Sequence, residues 1–146
     1  MPLDQAHLDY LAEHWQGCLA TVCAAGTPQN KPVRYGYNLD LGSIDIAGYG
    51  METSAKYRNI AIRPDVSLVV DDAVGDGVEG MRFIEVRGRA AREVAEPGTV
   101  RPGLSPHIIR IWPRRVISWN IGQGTPGFQS FDLPGLPHER SAAPCE

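Results

Sequence analysis

The chain has 146 residues, of which 42% are hydrophobic, and this length favours one domain with a sizeable core. The formal net charge is -3, so the chain lacks the excess of basic residues that is typical of nucleic-acid-binding proteins, which argues against nucleic-acid binding as the main function. No apolar run approaches the roughly 20 residues that span a bilayer, and the first ten residues lack the basic-then-apolar pattern of a signal peptide, so we expect a cytoplasmic protein.

The N-terminal segment predicts an amphipathic helix over residues 4–16. Leu11 and Trp15 recur at the spacing of one helix face, and Asp4 is a suitable N-cap. Gly17 follows as the expected stop signal.

The rest of the chain alternates short strand patterns with turn signals. A second short helix is predicted at 54–63. Pro32 cannot donate to a strand ladder, so a bulge or an unpaired edge is expected there, and Pro113 separates the last two predicted strands. The predicted strands are 18–24, 29–40, 43–50, 66–72, 81–94, 107–112 and 114–121.

Six or seven short strands with two helices predict a mainly β protein closed into a small barrel. Residues 1–121 form this predicted domain. From residue 122 to residue 146 the sequence is rich in glycine, proline and serine, which predicts an extended or disordered tail.

No local motif identifies catalytic or metal-binding side chains. The three cysteines and four histidines are scattered and lack metal-ligand spacing, so we predict no metal site. The sequence also shows no Ser-His-Asp, Cys-His or paired-carboxylate arrangement. Catalytic residues therefore stay unassigned.

The stretch "GYGMETSAKYRNI", residues 48–60, carries one of only two lysines in the chain. It leaves a predicted strand and enters the second helix, whose first N–H groups have no intrahelical acceptor. With the hydroxyl of Ser54 and the charges of Lys56 and Arg58, this helix start suits a phosphate. The alternative is that Ser54 is an ordinary N-cap and that both cations are solvated surface charges.

Four ordered segments resemble a known protein family. They are "CLATVCAAGTPQNKPVRYGYN", "IDIAGYGMETSAKYRNIAIRPDVSLVVDD", "IEVRGRA" and "IIRIWPRRVISW". This order resembles the pyridoxamine-phosphate-oxidase-like split β-barrel superfamily, and within it the actinobacterial branch of oxidoreductases that uses the deazaflavin coenzyme F420. The resemblance covers about residues 8–121.

The resemblance implies a homodimer with two cofactor sites at the subunit interface. Ser54, Ala55 and Lys56 would hold the phosphate end of the cofactor, with Arg58 and Asn59 nearby. The second strand would run beside the ring system. Its candidate contacts are Lys31, Pro32, Val33, Arg34 and Tyr35.

Near the C-terminal strands, the resemblance implies that Trp112, Arg115 and Trp119 reach the partner subunit's cofactor. The alternative for the two tryptophans is a place in the core or the dimer interface. Met51, in the glycine-flanked turn before the second helix, is a further cofactor contact that the resemblance implies. Many relatives have Asn or His before this methionine, whereas this chain has Tyr49 and Gly50, a change that would alter the pocket wall.

Three functions are consistent with the resemblance. The first is a reductase that transfers a hydride from reduced coenzyme F420 to a small conjugated substrate. The second is an FMN-dependent oxidoreductase of the same fold, and the third is a non-catalytic flavin-binding or haem-binding protein. The excess of arginine over lysine, with abundant alanine, glycine and proline, is typical of high-GC genomes, in which the deazaflavin is common. Arg34 or Tyr35 are candidates to polarise or protonate a substrate carbonyl, but an ordinary place on the strand surface is the stronger interpretation.

Overall fold

The computed structural model describes residues 3–122 and 127–134 and contains seven strands and two α-helices within these ranges. Single 3₁₀ turns, Met51–Thr53 and Val78–Gly80, precede α2 and β5. None of the described helices is long and apolar enough to cross a membrane. In chain order, the elements are α1 (Gln5–Glu13), β1 (Gln16–Val22), β2 (Pro28–Asn38), β3 (Ser43–Ala47), α2 (Ala55–Ile62), β4 (Asp65–Ala73), β5 (Met81–Val94), β6 (His107–Trp119) and β7 (Phe128–Asp132).

The strands form one antiparallel sheet that closes into a six-stranded barrel. The strand order is β3-β2-β1-β4-β5-β6-β7, and pairing of β3 with β6 joins the two sides of the barrel. β7 adds to the free part of β6 outside the closed ring. Closure removes most exposed strand edges. The predicted mainly β split barrel with short helices is confirmed.

Alternating side chains fill the barrel. In β5, Ile84 and Val86 are fully buried while Glu85 and Arg87 face outward, as the sequence predicts. In β3, Ile44 and Ile46 are also fully buried. Each such side chain contributes about 1.5–3 kcal/mol on burial, so this inward face supplies much of the stability.

The first helix is shorter than predicted. Asp4 caps it as expected, because its carboxylate accepts the amide of His7. The helix ends at Glu13, however, and Gly17 lies inside β1. A Cβ at Gly17 would come within 2.8 Å of the Val69 carbonyl oxygen. Gly17 therefore permits close strand packing and does not act as a helix stop.

His7 connects α1 to the barrel. Its buried ring lies with Nδ1 2.6 Å from Asp4 Oδ1 and Nε2 2.8 Å from Ser118 Oγ of β6. Phe131 of β7 meets the same ring edge to face at 5.3 Å. Since neither His7 nor Ser118 is accessible to solvent, this Asp-His-Ser chain holds the helix in place and does not form an accessible nucleophilic site.

The predictions for Pro32 and Pro113 have different outcomes. Pro32 lies in the part of β2 that pairs with β1 alone, because β3 begins pairing only at Arg34, so the predicted edge is confirmed. The predicted break at Pro113 is wrong, since β6 continues through it. The register shifts between Arg87 and Gly88 opposite this position, and such a bulge accommodates a residue that has no N–H.

The C-terminal segment includes a strand that the sequence analysis did not assign. β7 pairs with β6 from Arg115 to Trp119. The remainder of the predicted tail, residues 123–126 and 135–146, lies outside the described residues, and the division into a domain of residues 1–121 and a tail stays a prediction.

Candidate functional site

The start of α2 has the geometry of a capped helix N-terminus. The hydroxyl of Ser54 accepts the Tyr57 amide at 3.4 Å and donates to the Met51 carbonyl at 2.7 Å. Met51 itself is buried in the core beneath this turn. The Ser54 hydroxyl is thus occupied as a cap, while the amides of Ala55 and Lys56 point out of the helix start without intrahelical acceptors.

The two lysines of the chain, Lys31 of β2 and Lys56 of α2, lie close together. The pKa of the Lys56 ammonium is lowered, chiefly by burial and secondly by the charge of Lys31. Among the residues that the structure describes, no carboxylate forms an ion pair with either lysine. Lys56 is thus a partly buried cation in the first turn of α2, within electrostatic range of a second cation.

Arg58 and Asn59 are engaged locally. Arg58 is exposed and donates through Nη1 to the Thr53 carbonyl at 2.6 Å. The buried amide of Asn59 donates to Thr21 Oγ1 at 3.0 Å and to Gln29 Oε1 at 2.8 Å. Asn59 therefore ties α2 to β1 and β2, and Arg58 braces the turn before the helix.

The side chains of β2 alternate between the core and the outer surface. Val33 and Tyr35 point inward and are buried. The Tyr35 hydroxyl donates to the Leu11 carbonyl at 2.7 Å, and burial raises its pKa. Pro32 and Arg34 are on the exposed face. A ligand on this surface can thus contact the backbone of Tyr35 but not its hydroxyl, which disfavours Tyr35 as a proton donor.

A cavity of about 650 Å³ opens on the outer face of β2 and β3. Its floor includes Arg34 and Gly36 of β2, and Ala47 of β3. Residues 95–104, which follow β5, supply a wall, and Arg110 of β6 contributes to the rim. This volume lies within the range of small-molecule sites.

An internal ion pair holds the rim of the cavity. Arg110 donates two hydrogen bonds, of 3.0 and 3.1 Å, to the carboxylate of Asp45. Asp45 also accepts from Ser43 and Asn38. The side-chain hydrogen bond to Asp45 is the main reason that the pKa of Arg110 is raised. This guanidinium is therefore already neutralised.

The cavity wall is attached to the turn that leads into α2. The Ser105 amide donates to the Gly48 carbonyl at 3.0 Å, and the Ser105 hydroxyl donates to the Glu52 carboxylate. That hydrogen bond is the main cause that lowers the pKa of Glu52. Tyr49 projects from the same turn and is 79% exposed. The cavity and the lysine pair thus adjoin one short segment.

The three C-terminal candidates lie along β6, and two of them have local partners. Arg115 bonds to Asp132 Oδ1 at 2.7 Å and to Ser130 in β7. Trp119 donates to the Val78 carbonyl and packs against Phe128 with the ring planes tilted and the centroids 4.9 Å apart. Trp112 is half-buried opposite Arg89. All three are held by the β5–β6–β7 sheet.

Of the cavity lining, the sequence predicts Arg34 and Tyr35 as ligand contacts but not the wall or Gly36. Residues 96–106 contain three prolines and show neither a strand nor a helix pattern. The one available signal was a glycine inside an otherwise regular strand, which often marks the close approach of a ligand or another backbone. No group of three or more His, Cys, Asp or Glu side chains in the described ranges could hold a metal ion.

Comparison with known protein sequences gives two findings. The profile of the pyridoxamine 5'-phosphate oxidase family matches residues 3–121. A Streptomyces rimosus protein named 5a,11a-dehydrotetracycline/5a,11a-dehydrooxytetracycline reductase is 36% identical over 134 residues, which cover 91% of this chain and 94% of that protein.

Solved structures share the fold at low identity. A heme-binding protein from Mycobacterium smegmatis aligns with a TM-score of 0.65 at 16% identity, covering 90% of this chain and 59% of that one. The FAD-binding protein from the same organism aligns with a TM-score of 0.57 at 20% identity, covering 90% and 98%. These likenesses concern the architecture alone.

Proposed function

Because this chain belongs to the pyridoxamine 5'-phosphate oxidase family, we propose that it is an oxidoreductase that transfers a hydride from reduced coenzyme F420 to a small conjugated organic substrate. The observation that carries the proposal is the position of Lys56, partly buried in the first turn of α2 and within electrostatic range of Lys31 in β2. The similarity to a reductase over nearly the whole chain supports the reaction class.

The residues present fit the phosphate end of such a cofactor. Lys56 is partly buried and stands next to a second cation, so a bound anion would relieve the repulsion between the two. The amides of Ala55 and Lys56 add donors, and the helix dipole adds positive potential. A phosphate would satisfy all of these groups together.

When bound, the deazaflavin supplies the two-electron hydride chemistry. The protein residues bind, orient and exclude water. The lysine pair would anchor one end of the cofactor, and the exposed face of β2 would direct the other end toward the cavity. Arg34 is the chain's candidate for polarising a substrate oxygen there, since it lines the cavity and its guanidinium, 5.1 Å above the ring of Trp15, forms no ion pair among the described residues.

FMN is the second candidate cofactor, because the lysine pair would accept its phosphate equally well. The fold is also that of a protein named as FAD-binding. A non-catalytic flavin or haem carrier is the third candidate, and it predicts ligand binding without turnover.

We further propose that the protein acts as a homodimer with its cofactor sites at the subunit interface. Large apolar side chains stand on the outer surface, notably Phe128, which is 71% exposed, and Trp15, which is 59% exposed. Phe128 clusters with Trp119 and Phe83. Exposed aromatic clusters of this kind mark protein interfaces.

The experiment that tests the cofactor is a parallel titration of the purified protein with coenzyme F420 and with FMN, followed by ligand fluorescence. Micromolar or tighter binding of F420 with much weaker binding of FMN is expected. Preference for FMN would support the second candidate, and binding of neither would contradict the phosphate seat. Stopped-flow oxidation of reduced F420 by 5a,11a-dehydrotetracycline then separates a reductase from a carrier.

A further inference from the structure

Trp15 is a large aromatic residue without a place in the core. Its spacing from Leu11 predicts a shared helix face. The helix ends at Glu13, however, and Trp15 lies in the short link to β1, where 59% of its side chain is exposed. An exposed tryptophan gives up a large part of its hydrophobic stabilisation, so burial does not account for a tryptophan at this position.

The ring of Trp15 lies beside the guanidinium of Arg34. The Arg34 Cζ atom is 5.1 Å from the centroid of this ring, which is within the range of a cation–π interaction. Among the residues that the structure describes, Arg34 forms no ion pair. The indole face therefore takes the place that a carboxylate has beside Arg82 and Arg110.

The backbone of the same link is bonded to the strand that contains Arg34. The Trp15 carbonyl accepts the amide of Tyr35, the next residue in β2, at 3.1 Å. On the other side of the link, Nε2 of His14 lies 3.2 Å from Asp72 Oδ2 in β4. The ring of Trp15 thus belongs to a link that is joined to both β2 and β4.

The contact with Trp15 limits where the guanidinium of Arg34 lies at the cavity. Arg34 lines the cavity from the exposed face of β2. An arginine side chain has several rotatable bonds and loses conformational freedom when it binds a ligand oxygen. Packing against an aromatic face before the ligand binds removes part of that cost and sets the direction of the N–H donors.

We propose that Trp15 is a positioning residue, whose ring holds the guanidinium of Arg34 in the orientation in which it donates to a ligand oxygen in the cavity. The inference rests on the proposed function, because that function gives Arg34 the task of polarising a substrate oxygen. Trp15 does not itself line the cavity and acts through Arg34.

The test compares Trp15→Phe and Trp15→Leu with the wild type, and Trp15→Leu again in the Arg34→Met background. Phenylalanine keeps an aromatic face, whereas leucine removes it. Ile62→Ala is the matched control, because Ile62 is a large apolar residue that is 62% exposed and does not line the cavity.

Three measurements are made on each variant. The NMR resonances of the Arg34 side-chain protons report whether the guanidinium lies over an aromatic ring. Stopped-flow oxidation of reduced F420, with the same acceptor that tests the proposed function, reports the reaction, and F420 fluorescence reports cofactor affinity. Thermal denaturation checks that each variant is folded.

We expect the Arg34 side-chain protons to resonate upfield of their random-coil positions in the wild type and in Trp15→Phe, and to lose this shift in Trp15→Leu. Oxidation of reduced F420 should slow about fivefold or more in Trp15→Leu, the effect of losing an exposed cation–π contact, and Trp15→Phe should keep most of the rate. Trp15→Leu should have no further effect in the Arg34→Met background. The control and the F420 affinity of all Trp15 variants should match the wild type.

Unshifted Arg34 resonances in the wild type, or equal rates in Trp15→Leu and the wild type, would overturn the inference. An undiminished effect of Trp15→Leu in the Arg34→Met background would also overturn it, because Trp15 would then act independently of Arg34. Loss of F420 affinity in Trp15→Leu would overturn it by placing Trp15 at the cofactor. These outcomes leave the proposed function intact, whereas a wild type that does not oxidise reduced F420 would contradict the proposed function and the inference that rests on it. If Trp15→Leu does not fold, Trp15→Met, which also lacks a ring, decides the result.

Discussion

Replacing Lys56 by Met should weaken cofactor binding and stabilise the ligand-free protein at the same time. Methionine keeps the length of the side chain but removes its charge. A hydrogen bond to a charged group contributes about 1.5–3 kcal/mol, so the cofactor Kd should rise about 10- to 150-fold. Lys31→Met should act in the same direction, since Lys31 is the second cation of the pair.

The effect on stability follows from the lowered pKa of Lys56. The ammonium of Lys56 has a lower pKa in the folded protein than in the unfolded chain, so the charged side chain destabilises the folded protein at neutral pH. The cost disappears only as the pH rises through the lowered pKa and the folded protein releases the proton first. Removing the charge should therefore raise the Tm of the ligand-free protein at pH 7.

The pH dependence gives an independent check. Anion binding requires charged Lys56, so affinity should fall at a lower pH than it would for an ordinary lysine. In Lys31→Met one cause of the lowered pKa is absent, and this alkaline decline should move to higher pH. The measurements are F420 fluorescence titrations from pH 6 to pH 10 and thermal denaturation without ligand.

The control is Arg63→Met. Arg63 is a cation at the opposite end of α2 that donates to the carbonyls of Cys23 and Ala24. The Arg63→Met substitution should leave F420 affinity within about twofold of the wild type. Unchanged affinity in Lys56→Met, or an equal loss in Arg63→Met, would refute the argument and return Lys56 to the role of a solvated surface charge.

Three other predictions concern stability and assembly. The carboxylate of Asp72 has its pKa lowered to about 2 from 3.8, chiefly by its hydrogen bond to Arg82. Asp72→Asn should therefore lower the free energy of unfolding at pH 7 by on the order of 2 kcal/mol. In urea titrations the difference between variant and wild type should shrink as the pH falls from about 4 toward 2, and a difference that stays constant with pH would contradict the prediction. His7→Leu leaves the buried hydroxyl of Ser118 without its partner and should lower the free energy of unfolding by about 1–3 kcal/mol. Wild-type stability of this variant in urea denaturation would contradict that prediction. Phe128→Glu places a charge in the exposed aromatic cluster and should convert a dimer into monomers in sedimentation velocity; a persistent dimer would locate the interface elsewhere.

The strands and helices were largely predictable because their signals are local. Alternation in residues 81–94 predicts β5 with its bounds, and Ser54 marks the start of α2. The exceptions arise where a distant contact overrides a local signal. Pro113 reads as a break, but β6 continues through it with a bulge at the next residue, Arg114, which has no pairing partner in β5.

The candidate site was predictable only in part. The sequence singled out Lys56 through its place at a helix start and suggested Lys31 through resemblance. Their mutual electrostatic effect depends on the tertiary structure, in which Asn59 of α2 donates to Gln29 of β2. The sequence could not show that the hydroxyl of Tyr35 is bonded to the Leu11 carbonyl. The side chain of Tyr35 points inward because of the face that β2 turns toward the core.

By itself, the sequence determined the mainly β class, most strand positions and the capped helix start, because side-chain periodicity and capping depend on residues a few positions apart. Only the tertiary structure decided that Gly36 forms the floor of a cavity walled by residues 95–104. It also decided that Lys31 and Lys56, on different elements, lie within electrostatic range of each other. The cavity joins segments far apart in the chain, and the pairing of β3 with β6 brings Arg110 to Asp45 at its rim.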